Sequence, residues 1–282
     1  MATRFKGAPV AEALNDRIRA DVAELLKRGV TPKLALVRVG EQDGDVYYER
    51  SAMRRCEAVG VAVRNVILPE TATQAELLAA IAALNADRDV HGILVFRPLP
   101  KAIDDAAVRA AIAPEKDVDG ITDMSMAGVF TGGAVGFCPC TAEACMEVLD
   151  YYGVDCAGKK AVVVGRSLVI GKPAAMLLLQ KNATVTVCHT KTRDLAAETR
   201  CADILLVSAG HAGTVGAEHV RPGQVVLDVG VNTDAAGAMC GDVDFAAVEP
   251  VVAAITPVPG GVGTVTTSVL VRHVVEAAKR RA

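Results

Sequence analysis

Short apolar, β-branched segments alternate with helix-length amphipathic segments along most of this chain, and this alternation constrains the fold more than any other feature. The strand-like segments lie at 34–39, 62–68 and 92–96, and then at 161–164, 184–188, 203–207, 225–229 and 253–256. Strands separated by helices are typical of parallel sheets with helices packed on their faces. The chain is therefore predicted to be an α/β protein with two α/β units, and its 282 residues suffice for two domains.

Local signals place the first helices between these strands. Thr73 and Glu76 have the spacing of a capping box, which predicts a helix over residues 74–85. Asp45 and Gly60 bracket the segment between the first two strands, so a helix is predicted there as well.

The pattern breaks once, and this break divides the chain. Residues 117–139 are rich in Gly, Asp, Thr and Ser with little periodicity, which predicts a crossing between domains and a loop near the cleft. Residues 265–278 have helical periodicity, so we expect a C-terminal helix that packs back on the first domain. The predicted domains are 1–138, completed by 264–282, and a Rossmann-like domain at 139–263.

Residues 158–173 read GKKAVVVGRSLVIGKP, a strand that runs into a turn and then a helix. Gly165 permits a tight turn, Ser167 is small enough for the backbone to approach a pyrophosphate, and Gly171 permits close helix packing. The helix N-terminus favours an anion, and Arg166 adds a charge suited to a 2′-phosphate. Because Ser167 replaces the second glycine of G-x-G-x-x-G, the motif alone also fits a turn without a ligand.

Composition argues against several other classes of protein. The net charge is −3 and the basic residues are scattered, so no nucleic-acid surface is expected. No apolar run reaches the ~18 to 20 residues of a membrane span and no secretory signal is recognised, so a cytoplasmic protein without membrane association is expected. The eight cysteines include Cys138 and Cys140 but no second pair at zinc spacing, which predicts reduced thiols and no metal.

Eight segments together resemble one family, in family order. They are VGEQDGDVYYERSAMRRCEAVGV at 39–61, HGILVFRPLP at 91–100, PEKDVDG at 114–120, PCTA at 139–142, GRSLVIGKP at 165–173, ATVTVCHTKT at 183–192, GDVDF at 241–245 and ITPVPGGVG at 255–263. This set is similar to the bifunctional methylenetetrahydrofolate dehydrogenase/cyclohydrolases of one-carbon metabolism. The resemblance implies tetrahydrofolate one-carbon substrates, a nicotinamide cofactor and a homodimer.

The chain departs from this family at one pair of positions. Members with both activities carry a tyrosine and, four residues later, a lysine on one face of the first-domain helix; here these are Tyr48 and Ala52. The family's usual glutamine after the strand GILV is Phe96. The resemblance therefore implies a dehydrogenase whose cyclohydrolase activity is weak or absent, with a fully bifunctional enzyme as the alternative.

The resemblance also assigns site residues on the substrate side. Tyr48 and Asp119 match the catalytic positions, with Tyr48 over the substrate and Asp119 holding the pterin ring. Read alone, Asp119 with Gly120 also fits a solvated turn, and the PGGVG segment fits an ordinary turn before the last helix. The implied substrate contacts are Tyr48, Pro98, Leu99, Asp119, Pro259, Gly260 and Gly261.

On the cofactor side, Arg166 and Thr190 match the positions that hold the 2′-phosphate of NADP. NADP is therefore expected, although NAD stays open because the second strand of this half ends without the acidic residue that selects a free ribose. Val231 is expected to lie against the nicotinamide half, whereas His189 and His211 are expected to be structural. The implied cofactor-binding set is Gly165, Arg166, Ser167, Thr190 and Val231.

Two other functions remain open at this point. A related two-domain dehydrogenase of the shikimate type shares the predicted architecture, but no lysine of this chain matches the catalytic lysine that such an enzyme needs. A folate- or nucleotide-binding protein without catalysis would also explain the replaced lysine and glutamine positions.

Overall fold

The structure is a computed structural model that describes residues 2–234 and 236–282. Its strands, in chain order, are β1 Thr3–Arg4, β2 Lys33–Val39, β3 Ala62–Leu68, β4 Gly92–Val95, β5 Lys160–Val164, β6 Thr184–Cys188, β7 Ile204–Val207, β8 Val225–Asp228, β9 Asn232–Thr233, β10 Met239–Cys240 and β11 Ala254–Ile255. Its α-helices are α1 Gly7–Lys27, α2 Asp43–Val59, α3 Gln74–Ala86, α4 Asp105–Ala111, α5 Asp123–Thr131, α6 Cys140–Tyr151, α7 Gly171–Gln180, α8 Leu195–Arg200, α9 Phe245–Val248 and α10 Gly263–Arg281. Short 3-10 turns lie at Pro114–Lys116 and Ala217–His219.

The chain forms two compact units. One, the three-stranded unit, contains Ala13–Cys140 and Thr267–Ala282. The other, the six-stranded unit, contains Thr141–Thr266 and the residues up to Glu12. The divisions near 140 and 266 lie close to the predicted domain boundaries, but the first twelve residues differ from the prediction.

The three-stranded unit is built on a parallel sheet in the order β3-β2-β4. Leu77 and Ile81 of α3 are fully buried against this sheet with Val37 of β2. The C-terminal part of α10 belongs to the same unit: a Cβ at Gly92 would meet a methyl group of Val274 at 3.0 Å. The predicted return of the C-terminal helix to the first domain is thus confirmed.

The six-stranded unit contains a parallel sheet in the order β1-β11-β8-β7-β5-β6. The two-residue strand β1 pairs with β11 at its edge, and Phe5 N–H donates to Ile255 O at 2.9 Å. These backbone bonds explain why the N-terminus belongs to this unit. Two residues are too short for periodicity to reveal a strand.

The local helix signals are confirmed in two places. Thr73 caps α3, with its side chain accepting from Glu76 N–H and the Glu76 carboxylate accepting from Thr73 N–H at 2.7 Å. Helix α2 ends at Gly60, whose φ of 81° lies in the left-handed region.

The prediction of a loop at 117–139 is wrong in part, because this segment contains the helix Asp123–Thr131. Thr122 caps it by accepting from Ser125 N–H, and Gly132 ends it with φ 70°. The caps at Thr122 and Gly132 therefore define the two ends of this helix, although its sequence shows no hydrophobic periodicity. A Cβ at Gly128 would lie 2.2 Å from Val135 O, so the helix packs closely on the segment that follows it.

Two further features concern residues in both units. Five of the eight cysteines are buried, as is typical of structural thiols. Across residues 2–234 and 236–282, the structure contains no helix of the length and apolar character needed to cross a membrane.

Candidate active site

Helix α2 presents Tyr48 and Ala52 one turn apart. Ala52 is fully buried, with 0% of its surface exposed, and Cys56 on the next turn is equally buried. The Tyr48 ring meets Phe96, the residue after β4, edge-on with ring centroids 6.1 Å apart. The two positions at which the resemblance implies a lysine and a glutamine are thus occupied by a buried methyl group and an aromatic ring.

The Tyr48 hydroxyl makes a side-chain hydrogen bond with Thr267 at the start of the α10 segment in this unit. Burial raises the pKa of Tyr48, and the negative charge of Asp119 raises it further. The phenol therefore stays protonated at neutral pH. It can donate a hydrogen bond but cannot act as a base.

A buried ion pair fixes the first turns of α2. Arg38 on β2 donates from Nε to Glu49 Oε2 at 2.7 Å, and its Nη1 donates to Gly40 O. Both side chains are almost completely buried. Sequence reasoning missed this pair, because Arg and Glu at these positions equally fit a solvated surface.

The loop that carries Asp119 is held from both sides by buried polar groups. Lys116 is fully buried and its Nζ donates to three carbonyl oxygens at the end of α3, those of Leu84, Asn85 and Asp87, at 2.6–2.8 Å. These bonds satisfy carbonyls that the helix leaves unpaired.

Asp117 and Gly120 fix the other side of the same loop. The Asp117 carboxylate accepts from Thr122 N–H at 2.8 Å and from the Ser125 hydroxyl at 2.6 Å. Gly120 has φ 71°, and a Cβ there would lie 2.5 Å from the carbonyl carbon of Cys138. Only glycine fits this position, so the D-V-D-G turn has a structural reason as well as the implied substrate role.

Asp119 itself is partly buried, and its pKa is raised to about 6. The causes are burial and the neighbouring charge of Asp117, whereas Arg97 opposes the increase. A side-chain hydrogen bond from Cys140 also favours the ionised form. The carboxyl group thus changes charge close to neutral pH.

Cys140 and His273 are two buried neighbours of Asp119 that lower its pKa. His273 is buried, and its Nδ1 lies 2.8 Å from Val118 O, which can only accept, so Nδ1 carries a proton. The Cys140 thiol donates to the same oxygen at 3.2 Å, and its Sγ lies 3.7 Å from Nδ1. A carbonyl oxygen has two lone pairs, so Val118 O accepts from both side chains, and the Asp119 carboxylate is an alternative acceptor for the single thiol hydrogen.

The two other substrate residues predicted in this unit have different environments. Pro98 is exposed, whereas Leu99 is partly buried and packs on the core of the three-stranded unit. Arg97 before them forms an ion pair with Asp105 at 3.4 Å.

In the six-stranded unit, the predicted dinucleotide turn has the expected backbone geometry. Gly165 has φ 130°, and a Cβ there would lie 2.4 Å from Ser208 O. A Cβ at Gly171 would lie 2.3 Å from Gly165 O, so helix α7 packs directly on the turn. The Ser167 hydroxyl accepts from Ile170 N–H at 3.1 Å, a capping contact that the sequence interpretation did not include.

This turn lines a cavity of about 260 Å³ at the carboxyl ends of the parallel strands. It brings together four of the five predicted cofactor residues, Gly165, Arg166, Ser167 and Thr190. The remaining lining residues are Val164, His189, Leu195, Ser208, Ala209, His211 and Thr214. Sequence reasoning missed Ser208, Ala209 and Thr214, although they lie in the segment after β7, at the same edge of the sheet. His189 and His211, which were expected to be structural, line the same cavity.

Val231 and the PGGVG segment lie elsewhere in this unit. Val231 is 71% exposed and does not line the cavity described above. Gly260 has φ 98° and its carbonyl accepts from Gly7 N–H at 2.8 Å, while a Cβ at Gly261 would lie 2.4 Å from Pro257 O. These glycines are required by the turn itself, and Pro259 precedes them in it.

Comparison with known proteins decides the family. Residues 5–119 match the family model described as tetrahydrofolate dehydrogenase/cyclohydrolase, catalytic domain. Residues 139–282 match the model of the NAD(P)-binding domain of the same enzymes. The chain belongs to the tetrahydrofolate dehydrogenase/cyclohydrolase family. The predicted resemblance, the two-domain α/β fold and the nicotinamide dinucleotide cofactor are thereby confirmed.

Individual relatives of this tetrahydrofolate dehydrogenase/cyclohydrolase chain match over almost its full length. "Bifunctional protein FolD" of Carboxydothermus hydrogenoformans is 49% identical over 98% of this chain and 97% of the relative. The crystal structure of the bifunctional FolD enzyme from Campylobacter jejuni has a TM-score of 0.97 at 38% identity and covers 100% of both chains. The Trypanosoma brucei enzyme, solved with NADP and an inhibitor, has a TM-score of 0.92 at 36% identity and covers 99% of this chain and 98% of its own.

Proposed function

We propose that this chain is an NADP-dependent 5,10-methylenetetrahydrofolate dehydrogenase whose cyclohydrolase activity is weak or absent. The dehydrogenase family is established above; the loss of the second activity and the choice of cofactor are the proposal. The observation that carries it is the environment of Tyr48, where Ala52 and Phe96 replace the family's proton-handling pair with buried apolar groups.

Hydride removal from the methylene carbon requires no protein base. The neighbouring folate nitrogen donates its lone pair as the hydride departs, and the product is the methenyl cation. The bound nicotinamide supplies the hydride acceptor. The contribution of the protein is to bind the folate and the cofactor and to align the two reacting rings, and such proximity lowers the barrier.

Asp119 and Tyr48 are suited to hold the folate ring. The Asp119 carboxylate offers acceptor oxygens for the amino and N–H donors of a pterin, and its loop is fixed by Lys116 and Asp117. The protonated Tyr48 hydroxyl offers a donor, and its ring offers a surface for stacking. Pro98 and Leu99, and Pro259, Gly260 and Gly261, are retained as proposed substrate contacts.

Opening of the methenyl ring has a different requirement. Water attacks the amidinium carbon, and protons must then be moved, for which a positioned acid–base group is typically worth ~10² to 10⁴ in rate. Tyr48 cannot accept a proton at neutral pH, because its pKa is raised. Ala52 and Phe96 carry no titratable group, so the second reaction lacks the amine that family members use.

The cavity of the six-stranded unit fits a dinucleotide phosphate. Gly165 allows the turn to pass close to Ser208, where a Cβ would collide with the Ser208 backbone, and the N-terminus of α7 follows this turn. The exposed guanidinium of Arg166 and the hydroxyl of Thr190 line the same cavity, as a 2′-phosphate requires. NADP bound in the Trypanosoma brucei relative supports this choice. Val231 is proposed as a nicotinamide contact, and a homodimer stays a prediction.

A paired assay on the purified protein tests the proposal. One arm follows NADPH or NADH formation from methylenetetrahydrofolate, and the other follows the decay of methenyltetrahydrofolate absorbance above the buffer rate. Cofactor reduction without enzymatic methenyl decay is expected. Enzymatic methenyl decay would show a fully bifunctional enzyme, and the absence of any cofactor reduction would show a binding protein; either outcome contradicts the proposal.

A further inference from the structure

A second cavity, of about 660 Å³, lies at the amino ends of strands β2 and β4 in the three-stranded unit. Its lining residues are Gly29, Val30, Thr31, Lys33, Arg88, Asp89, His91 and Arg281. Lys33 begins β2 and His91 immediately precedes β4, whereas Phe96 follows β4 at the opposite edge of the sheet. At ~3.3 Å per residue, the five steps from His91 to Phe96 separate this cavity from the Tyr48 region by about 16 Å.

The charged groups in this basic cavity are unbalanced. Its lining includes the basic side chains of Lys33, Arg88 and Arg281, whereas Asp89 is the only acidic residue among the lining residues. Asp89 lies 3.6 Å from Lys33 Nζ, so one cation is paired. Within residues 2–234 and 236–282, neither Arg88 nor Arg281 has a carboxylate within 4.0 Å. Two guanidinium charges therefore lack an anionic partner.

The nearby carboxylate of Asp87 does not correct this imbalance. Asp87 Oδ2 accepts from Arg64 Nη1 at 2.8 Å, and its Oδ1 accepts from Asp89 N–H. Arg281 is held at the cavity by donating from Nη1 to Val90 O at 3.1 Å. The guanidinium group is thus positioned by a neutral carbonyl, which leaves its charge uncompensated.

His91 provides a further donor and reports the positive potential. It is buried, and its Nδ1 accepts from Lys33 N–H at 3.2 Å, so the ring proton resides on Nε2. Burial lowers the pKa of His91, and the charge of Arg281 lowers it further. The imidazole is therefore neutral at physiological pH, and it adds a hydrogen-bond donor without a charge.

We propose that this basic cavity binds a small polar dianion, specifically a phosphate monoester. Two unpaired guanidinium groups match two negative charges, and their planar forks match phosphate oxygens bidentately. The volume exceeds that of inorganic phosphate and falls within the range of small-molecule sites. Its lining contains no Phe, Tyr or Trp for stacking a base, which favours a polar, non-aromatic ester such as glycerol phosphate over a nucleotide.

Calorimetric titration at constant ionic strength tests this site. Glycerol phosphate, inorganic phosphate and succinate are each titrated into the parent protein and into Arg88→Gln, Lys159→Gln and Arg166→Gln. Arg88 is exposed, so its replacement is expected to leave folding unaffected, and Lys159→Gln removes an exposed charge from the six-stranded unit as a matched control. Arg166→Gln reports binding at the dinucleotide turn.

The expected result is glycerol phosphate binding that Arg88→Gln weakens at least tenfold and that Lys159→Gln and Arg166→Gln leave unchanged. Binding lost in Arg166→Gln but kept in Arg88→Gln would assign the anion to the dinucleotide turn and overturn the proposal. Equal or tighter binding of succinate would overturn the phosphate assignment, and no binding of any dianion would overturn the site. None of these outcomes depends on the proposed dehydrogenase activity.

Discussion

The ring of Phe96 meets the ring of Tyr48 edge-on, at 6.1 Å between centroids and 79° between planes. The resemblance implies a glutamine at the position of Phe96 and a lysine at the position of Ala52. Phe96 itself is buried, and Ala52 lies one helical turn after Tyr48 without any exposed surface. Both positions are therefore filled by buried apolar groups, which leave no space for a polar network.

Restoring the network is expected to restore hydrolysis. Ala52→Lys alone would bury an ammonium group without a partner, so we expect it to lower the free energy of unfolding by more than about 2 kcal/mol. Combined with Phe96→Gln, the amine gains an acceptor, and methenyl decay should rise at least tenfold over the parent. Absorbance decay and urea denaturation measure the two effects.

The matched control for this pair is Ala52→Met with Phe96→Gln, which supplies similar bulk without an amine. It should show no methenyl hydrolysis above the parent. Equal hydrolysis by both double variants would mean that space, rather than a proton-transfer group, limits the reaction.

The raised pKa of Asp119 predicts that folate binding and protein stability change in opposite directions with pH. Its pKa of about 6 means that the carboxylate form becomes dominant above that pH. Folate binding through this carboxylate should strengthen as pH rises through about 6, and KM for methylenetetrahydrofolate should fall. Asp119→Asn should raise KM and remove most of this pH dependence in initial-rate assays.

Stability should change in the other direction. An unfolded Asp titrates near 3.8, so between about pH 4 and 6 the folded protein binds more protons than the unfolded one. The free energy of unfolding should therefore fall as pH rises through this window, by on the order of 1 to 3 kcal/mol from this group. Chemical denaturation of the parent and of Asp119→Asn at about pH 4 and at about pH 6 measures this change. An equal change in the free energy of unfolding between the two pH values in both proteins would contradict the assignment.

His273 should act on folate binding through the ionisation of Asp119. His273 and the Cys140 thiol both lower the pKa of Asp119, against the larger effect of burial. His273→Ala should therefore shift the pH midpoint of KM upward, and Cys140→Ala should do the same. A purely structural role would reduce the amount of folded enzyme without moving the midpoint. Initial rates across pH 5 to 8 distinguish the two.

The fold could be predicted from the sequence where hydrophobic periodicity and capping signals agree. The site could be predicted only where a single motif contains several of its residues. Thr73 and Glu76 form the capping box that their spacing predicts, and Gly165 forms the expected turn. Lys116 could not be recognised as buried, because lysine in a Pro-Glu-Lys-Asp segment is ordinarily solvated and its partners lie some thirty residues earlier. Ser208 lies far from Gly165 in sequence, and only the order of strands in the sheet brings the two together.

Arg166 should determine the choice between NADP and NAD. Its guanidinium is exposed in the dinucleotide cavity, so Arg166→Gln should leave folding intact while removing the charge for a 2′-phosphate. KM for NADP should rise about 10- to 100-fold, as expected for one charge-assisted contact, whereas KM for NAD should change little. Arg193→Gln, an exposed arginine of the same unit outside the cavity lining, is the control. Equal changes for both cofactors would assign Arg166 to another part of the dinucleotide.

Lys116 should be a major determinant of stability in the three-stranded unit. Its ammonium group donates to three carbonyls at the end of α3, and methionine at this position would leave them without a partner in a buried environment. Lys116→Met should lower the free energy of unfolding by about 2 to 4 kcal/mol in urea denaturation, whereas Lys101→Met at an exposed position should change it by less than about 0.5 kcal/mol. Because Lys116 also fixes the Asp119 loop, the variant should raise KM for the folate more than it lowers kcat. A parent-like KM would show that Asp117 and Gly120 alone suffice to position Asp119.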